Sequence, residues 1–370
     1  LPFLPYYIQE LGVIEPDKLK LYVGLVSAAP ALGMAIMAPI WGILSDRFGK
    51  KIMLLRAMLA AAIIISLMGF ANSVNQLIFY RLLQGVFTGT VTAAAALVAS
   101  ATPRENLSFA LGFMASSTFV GNSIGPLIGG IIASNFGYRA SFHIGGIMML
   151  LDFLLVLFLV KENFTVKQKN ERNEKFITVI KSLITPYLLV LLATLFVMRI
   201  TRTIFTPFMP LLVQQTDPNN SITYTSYISG LTGFVTALSG ILAGKLGDKM
   251  DKAKLIKILI IASSLFAVML YNTDNLFVFA ITYSAMFFFS GGIEPLIMSM
   301  TALSVPENKR GALFGIQGTV GSIGFFFSPI IGSYISIGFG IKAVVIAIPI
   351  LFIINLFVLS ILRRTKVNDY

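Results

Sequence analysis

Five charged side chains stand within long apolar stretches of this 370-residue chain: Asp152, Arg199, Arg202, Glu294 and Arg81. Ionised groups are costly to hold at such positions; where they persist they pair, carry protons or bind charged ligands. Arg81 is only a few residues inside the outer end of its helix, where extension to the interface is the alternative to a functional role. Asp152 lies about twelve residues into its stretch, roughly 18 Å at about 1.5 Å per helical residue, too deep to reach either surface easily. A carboxyl there gains or loses its proton according to burial and neighbouring charge, which is what a carrier proton site requires. A fixed ion pair with an arginine is the alternative. Glu294 follows Gly291 and Gly292 and precedes Pro295, so it sits where helical backbone is loosened. It is preferred over Asp152 as the coupling acid. Arg199 and Arg202 are three apart and share one helix face, with Thr203 and Thr206 nearby. They are candidates to partner the acids, to hold an anionic group or to pack the bundle. Three cations against two anions argue against a purely cationic ligand. A sixth charge, Arg56, lies near the end of its stretch and is expected to extend to the surface.

The elements that carry these groups follow from composition. Apolar residues make up 56% of the chain and charged residues 12%, against about 25% charged in a soluble domain. So little charge does not cover the surface of a soluble protein of this length. The runs Ile52–Ala71, Phe142–Val160 and Ala343–Leu362 each reach the roughly 20 residues that one bilayer crossing needs. Hydropathy places segments at 1–12, 19–43, 52–71, 76–100, 107–133, 141–160, 186–212, 222–246, 255–271, 276–303, 311–335 and 342–362. The first is too short to span and reads as the outer part of a truncated first helix.

There is no cysteine and His143 is the only histidine, so disulfides are excluded and a metal site is not expected. The net charge of +12 is explained by sidedness. Of the 28 Lys and Arg, Arg56, Arg81, Arg199 and Arg202 lie more than two residues inside a span and are set aside, and those at span ends are counted with the adjoining loop. If the loop near Asp46 is cytoplasmic, only Lys18, Lys20, Arg139 and Lys342 face outward, and the remaining twenty face inward. This predicts a multi-pass protein of the cytoplasmic membrane, partnered by the lipid bilayer and not by nucleic acid.

The chain repeats itself. A shift of 203 brings Pro103, Gly112, Gly121, Pro126, Gly129 and Gly137 onto Pro306, Gly315, Gly324, Pro329, Gly332 and Gly340. A shift of 202 brings Gly42, Leu44 and Asp46 onto Gly244, Leu246 and Asp248; one of 205 brings Pro2, Phe3, Pro5 and Gln9 onto Pro207, Phe208, Pro210 and Gln214. Two parallel six-helix repeats are implied, an architecture of secondary transporters. The expected division is an N-terminal bundle at 1–160, a charged linker at 161–185 and a C-terminal bundle at 186–370.

Three motifs sharpen this. Residues 42–51 run Gly42, Ile43, Leu44, Ser45, Asp46, Arg47, Phe48, Gly49, Lys50, Lys51. They resemble the major facilitator signature between the second and third helices. Residues 81–85, Arg81 to Gly85 with Gln84, resemble the family's fourth-helix motif, whose arginine is linked to proton transfer. Gly121, Gly125, Pro126, Gly129 and Gly130 resemble the fifth-helix motif of its drug–proton antiporters. Glycines at this spacing make a flat face for close helix packing, and Pro126 bends the helix. The second half keeps Gly324, Pro329 and Gly332 but inserts Phe325, Phe326 and Phe327.

The resemblance covers nearly the whole chain. It implies an all-α membrane protein of the major facilitator fold, two six-helix bundles related by pseudo-two-fold symmetry. Its expected activity is proton-coupled export of lipophilic small molecules by alternating access. The expected protein is a monomer with no cofactor beyond the proton gradient and no catalytic residues. Phe119, Phe205 and Tyr227 are expected to line the cavity with Arg199 and Arg202; Glu294, Asp152 and Arg81 are the proton-coupling candidates. Rivals are export or flipping of an anionic lipid or glycolipid, with the two arginines on the head group, and a receptor that does not transport. Nutrient uptake is disfavoured by the Gly121–Gly130 motif. An enzyme is disfavoured because no catalytic set converges.

Overall fold

Long apolar runs without competing polar partners fold as helices, because only a helix satisfies every backbone group within one lipid-embedded segment. The computed structural model describes residues 2–87, 89–90, 93–94, 97–98, 102, 107–162, 185–273, 275–305 and 310–365, and no strand occurs among them. The first half comprises α1 (Leu4–Glu10), α2 (Pro16–Phe48), α3 (Lys50–Gly69), α4 (Val74–Phe87) and the long α5 (Leu107–Leu159). The second comprises α6 (Pro186–Thr203), α7 (Met209–Thr216), α8 (Ser221–Gly247), α9 (Lys252–Tyr271), α10 (Leu276–Gly291), α11 (Ile293–Leu303), α12 (Arg310–Phe339) and α13 (Ile341–Thr365). Nine segments among the described residues are long and apolar enough to cross a bilayer. Large apolar side chains stand exposed along them, including Phe158, Phe339 and Phe357, as lipid contact requires.

The repeat is visible in the backbone. α5 is two helices joined at Gly137, where φ is 82°. α12 meets α13 at Gly340, where φ is 87°. These glycines are equivalent in the repeat, and both adopt a left-handed conformation that a Cβ would strain. Start signals are local: Thr185 accepts from the Leu188 amide ahead of Pro186, and Asp251 accepts from the Lys254 amide.

Two expected spans are interrupted. The run 186–212 breaks between Thr203 and Met209, where Pro207 removes a backbone donor, and Pro210 stands in the first turn of α7, where a missing donor costs nothing. The run 276–303 breaks at Gly292, as the Gly291–Gly292–Pro295 pattern suggested. Most of the expected linker, 163–184, lies outside the described residues.

Among the described residues the halves meet mainly along two helix pairs, α2 with α12 and α5 with α8, and α1 also touches α7. Small residues set the approach. A Cβ on Gly24 would fall 2.7 Å from the Ser333 Cβ and 2.8 Å from the Pro329 carbonyl oxygen. The Ser333 hydroxyl donates to the Lys20 carbonyl at 2.9 Å. On the other pair, a Cβ on Gly233 would meet the Asn122 carbonyl oxygen at 2.6 Å.

Candidate functional site

The charged groups fall into two sets, one in each half. In the second half, α6 presents Arg199 and Arg202 on one face, and the break at Gly292 sets Glu294 in the first turn of α11. The Arg199 guanidinium donates Nη2 directly to Glu294 Oε1. Arg202 Nη1 stands 3.9 Å from the other carboxylate oxygen. One acid therefore serves two guanidinium groups, and the Nε atoms of both arginines are buried without a partner. The arginine planes rest on aromatic faces: Arg199 lies 4.6 Å from the Phe325 ring centroid and Arg202 lies 5.4 Å from that of Phe287. Contacts of this kind disperse charge where water is scarce. Glu294 is about 19% exposed, so the set is reachable and not sealed in the core.

Hydrogen bonds fix the backbone beneath these residues. The Thr203 hydroxyl donates to the Arg199 carbonyl at 2.6 Å and is paired with the Ser328 hydroxyl at 2.9 Å. Gly324 lies against this stretch, where a Cβ would fall 3.0 Å from that of Arg199. The three inserted phenylalanines after Gly324 therefore include a partner of the arginine pair.

In the first half, Arg81 meets no acid among the described residues. Its Nε donates to the Val26 carbonyl at 3.2 Å and its Nη1 to the Gln84 side-chain oxygen at 2.6 Å. Gln84 and Asp152 line one cavity of about 380 Å³ with Ile65, Ser141, Phe142, Gly145, Met148 and Met149. Asp152 has no ion pair among the described residues, so the expected pairing of Asp152 with Arg199 or Arg202 is not formed. Its repeat equivalent is Asn355, which is buried and donates to the Thr194 carbonyl at 3.3 Å. The acid in one half is thus a neutral amide in the other.

Other expected positions divide. Phe205 is buried. It is 1% exposed and packs edge-on to Phe279 and Tyr283, because the chain turns between α6 and α7 and aims it into the second bundle's core. Tyr227 stands exposed on α8, with no described ring, hydrogen-bond or ionic contact to the arginines. The side chains of Phe119, Asp46 and Arg47, and the surroundings of Gly42, lie outside the described residues. Gly49 takes a φ of 96° at the turn from α2 to α3. In the fifth-helix motif, the close approach belongs to Gly130, whose Cβ would overlap the Ser226 side chain. Gly129 faces Phe3, whereas Gly121 and Gly125 meet nothing within 4 Å among the described residues. Pro126 sits inside α5 without ending it. Arg56 is partly exposed, and its guanidinium lies 3.3 Å from the Trp41 ring centroid, with Nε and Nη1 buried.

Three relationships escaped the charge pattern. Gln9 and Gln214 exchange hydrogen bonds across the halves at 2.9 and 3.0 Å. The Tyr6 hydroxyl donates to the Pro210 carbonyl at 2.8 Å and is paired with Thr225 at 2.9 Å. Gln84 holds Arg81, a pairing that the spacing of three residues within 81–85 already allows.

Comparison with known proteins is consistent in scale. The profile of the Major Facilitator Superfamily matches residues 1–216 and 191–369. The multidrug resistance protein MdtG of Salmonella schwarzengrund (strain CVM19633) is 31% identical over 349 residues, which cover 93% of this chain and 86% of the relative. MdtG of Proteus mirabilis (strain HI4320) is 31% identical over 354 residues, with the same coverage. Among solved structures, a bacterial homolog of the human lysosomal transporter Spinster, inward-facing and occupied, superposes with a TM-score of 0.81. That match has 14% identity and covers 100% of this chain and 94% of the other.

Proposed function

Since the chain belongs to the Major Facilitator Superfamily, a family of transporters and not of enzymes, we propose that it is a proton-coupled exporter of lipophilic small molecules. The observation that carries this reading is the contact of Glu294 with Arg199, with Arg202 at 3.9 Å, on helices long enough to span a bilayer. The name of the curated relatives supports a multidrug-type substrate range. The protein acts as a monomer in the cytoplasmic membrane, and the proton gradient is its only energy source.

The mechanism follows from charge. With Glu294 ionised, its carboxylate holds Arg199 and neutralises part of the local positive field. A proton arriving on Glu294 removes that negative charge and releases the arginine. Substrate and proton then favour different arrangements of the two halves, and their linkage moves one against the other. In the first half, Gln84, which holds Arg81, shares a cavity with Asp152, the second candidate to carry the proton.

One observation favours a second reading. Two guanidinium groups share one carboxylate, and each keeps a buried Nε without a partner. An anionic head group on a lipophilic body meets that surplus, so export of an anionic amphiphile, such as a lipid, is the rival.

The test is gradient-driven transport in proteoliposomes, comparing a cationic dye with an anionic lipid analogue. Uptake against an imposed pH gradient is expected for wild type and is lost in Glu294→Gln. Intact coupling in both Glu294→Gln and Asp152→Asn overturns the coupling assignment. Movement of the anionic analogue alone selects the rival.

A further inference from the structure

We propose that Glu162 is a positioning residue for transport: from the far end of the first half it supplies the cap that α3 lacks, and so holds the α2–α3 turn in place. The proposal rests on the transport reading above. The first amides of any helix lack intrahelical acceptors, and the residue ahead of α3 is Gly49, which has no side chain to offer them. Glu162 meets this need. Its Oε1 accepts from the Lys50 amide at 3.0 Å and its Oε2 from the Lys51 amide at 2.8 Å. A carboxylate at a helix N-terminus is favoured by both the hydrogen bonds and the helix dipole.

The contact is reciprocal. Lys51 Nζ donates to the Leu157 carbonyl at 2.9 Å. Leu157 lies in the last turn of α5, where carbonyls lack intrahelical donors and a cation is favoured. Each helix end therefore satisfies the other with a charge of the right sign.

The second half solves the same problem locally. Gly49 corresponds, at the shift of 202 residues, to Asp251, which caps its own helix by accepting from the Lys254 amide at 2.7 Å. The first half has glycine at that position, with φ 96°, so its cap comes from 112 residues away. The turn so held closes the stretch Gly42–Lys51 that carries Asp46 and Arg47.

The experiment compares full-length Glu162→Ala, Glu162→Gln and Glu162→Asp in proteoliposomes. Hydrogen exchange at residues 48–56 is expected to quicken at least tenfold in Glu162→Ala, and less in Glu162→Asp. Unchanged exchange overturns the cap. Dye transport per folded molecule is expected to lose several-fold in Vmax with KM within twofold, and Glu162→Asp is expected to recover part of it. Faster exchange with unchanged turnover per folded molecule reduces Glu162 to a fold stabiliser and overturns the positioning role. If wild type moves no substrate, the transport reading fails by itself. The positioning role is then read from thiol cross-linking between Q9C and Q214C, where Glu162→Ala is expected to change the yield at least twofold; an unchanged yield overturns it.

Discussion

The side chains of Gln9 and Gln214 form a reciprocal amide pair, each donating to the other's oxygen across the boundary between the two halves. The residues are 205 apart and equivalent in the internal repeat. A self-complementary contact of this kind arises where a two-fold relation brings like residues together. Amides suit a contact that opens under the proposed mechanism, since water replaces each bond at a net difference of only about 1 kcal/mol.

Cross-linking tests whether this contact opens. The chain has no cysteine, so Q9C/Q214C is reactive at those positions alone. A short bis-methanethiosulfonate, which joins the two thiols through disulfide bonds, is expected to stop transport, and reduction of those bonds is expected to restore it. Full transport by the cross-linked protein shows that the pair need not separate.

Removing one partner of the Glu294–Arg199 pair is expected to be worse than removing both. Glu294→Gln leaves two guanidinium groups without a described carboxylate, at about 1–3 kcal/mol after allowing for partial exposure. Arg199→Gln combined with Glu294→Gln is expected to regain thermal stability and not coupled transport. Thermal unfolding in detergent, set beside proteoliposome assays, separates the two effects. Equal stability of the single and double variants argues against a compensated pair.

Gly24 allows α2 to approach α12, where a Cβ would fall inside contact distance of Ser333 and Pro329. Gly24→Val is expected to push the helices apart and lower the Q9C/Q214C cross-linking yield several-fold. Ser333→Ala, which removes one hydrogen bond to Lys20 and adds no bulk, is expected to change it little. The same yield in both variants would count against steric control of this interface.

Arg81 binds two acceptors in different directions, the Val26 carbonyl and Gln84. Lysine does not reproduce that fork. Arg81→Lys is expected to reduce turnover about tenfold or more with little change in apparent affinity, whereas Arg81→Gln is expected to abolish it. Initial rates over a range of substrate concentrations distinguish these outcomes. Full activity in Arg81→Lys would leave charge alone as the requirement.

Much of the fold was legible because lipid imposes simple rules: apolar runs span, and glycines mark the tight turns. Gly137 and Gly340 were visible as an aligned pair before their backbone angles were known. Glu294 and Arg199 were legible as buried charges of opposite sign. Direction was not. Phe205 looked like a cavity residue because the apolar run continues through the break after Thr203, and spacing carries no information once a helix axis ends. Asp152 looked like a partner for an arginine, yet it has no ion pair among the described residues, and Arg81 is satisfied by neutral oxygens, one on α2 and one a turn along α4. Gln9 and Gln214 carry no charge to draw notice, and Glu162 sits in a polar stretch that reads as linker.

The turns at Gly137 and Gly340 have a mechanical consequence. A single residue joins two spans at each, so there is no slack between them at that face of the bilayer. Under the proposed motion of the two halves, the two spans of each pair move together at that face, and their freedom to part lies at the opposite ends, on the side that carries the α2–α3 turn.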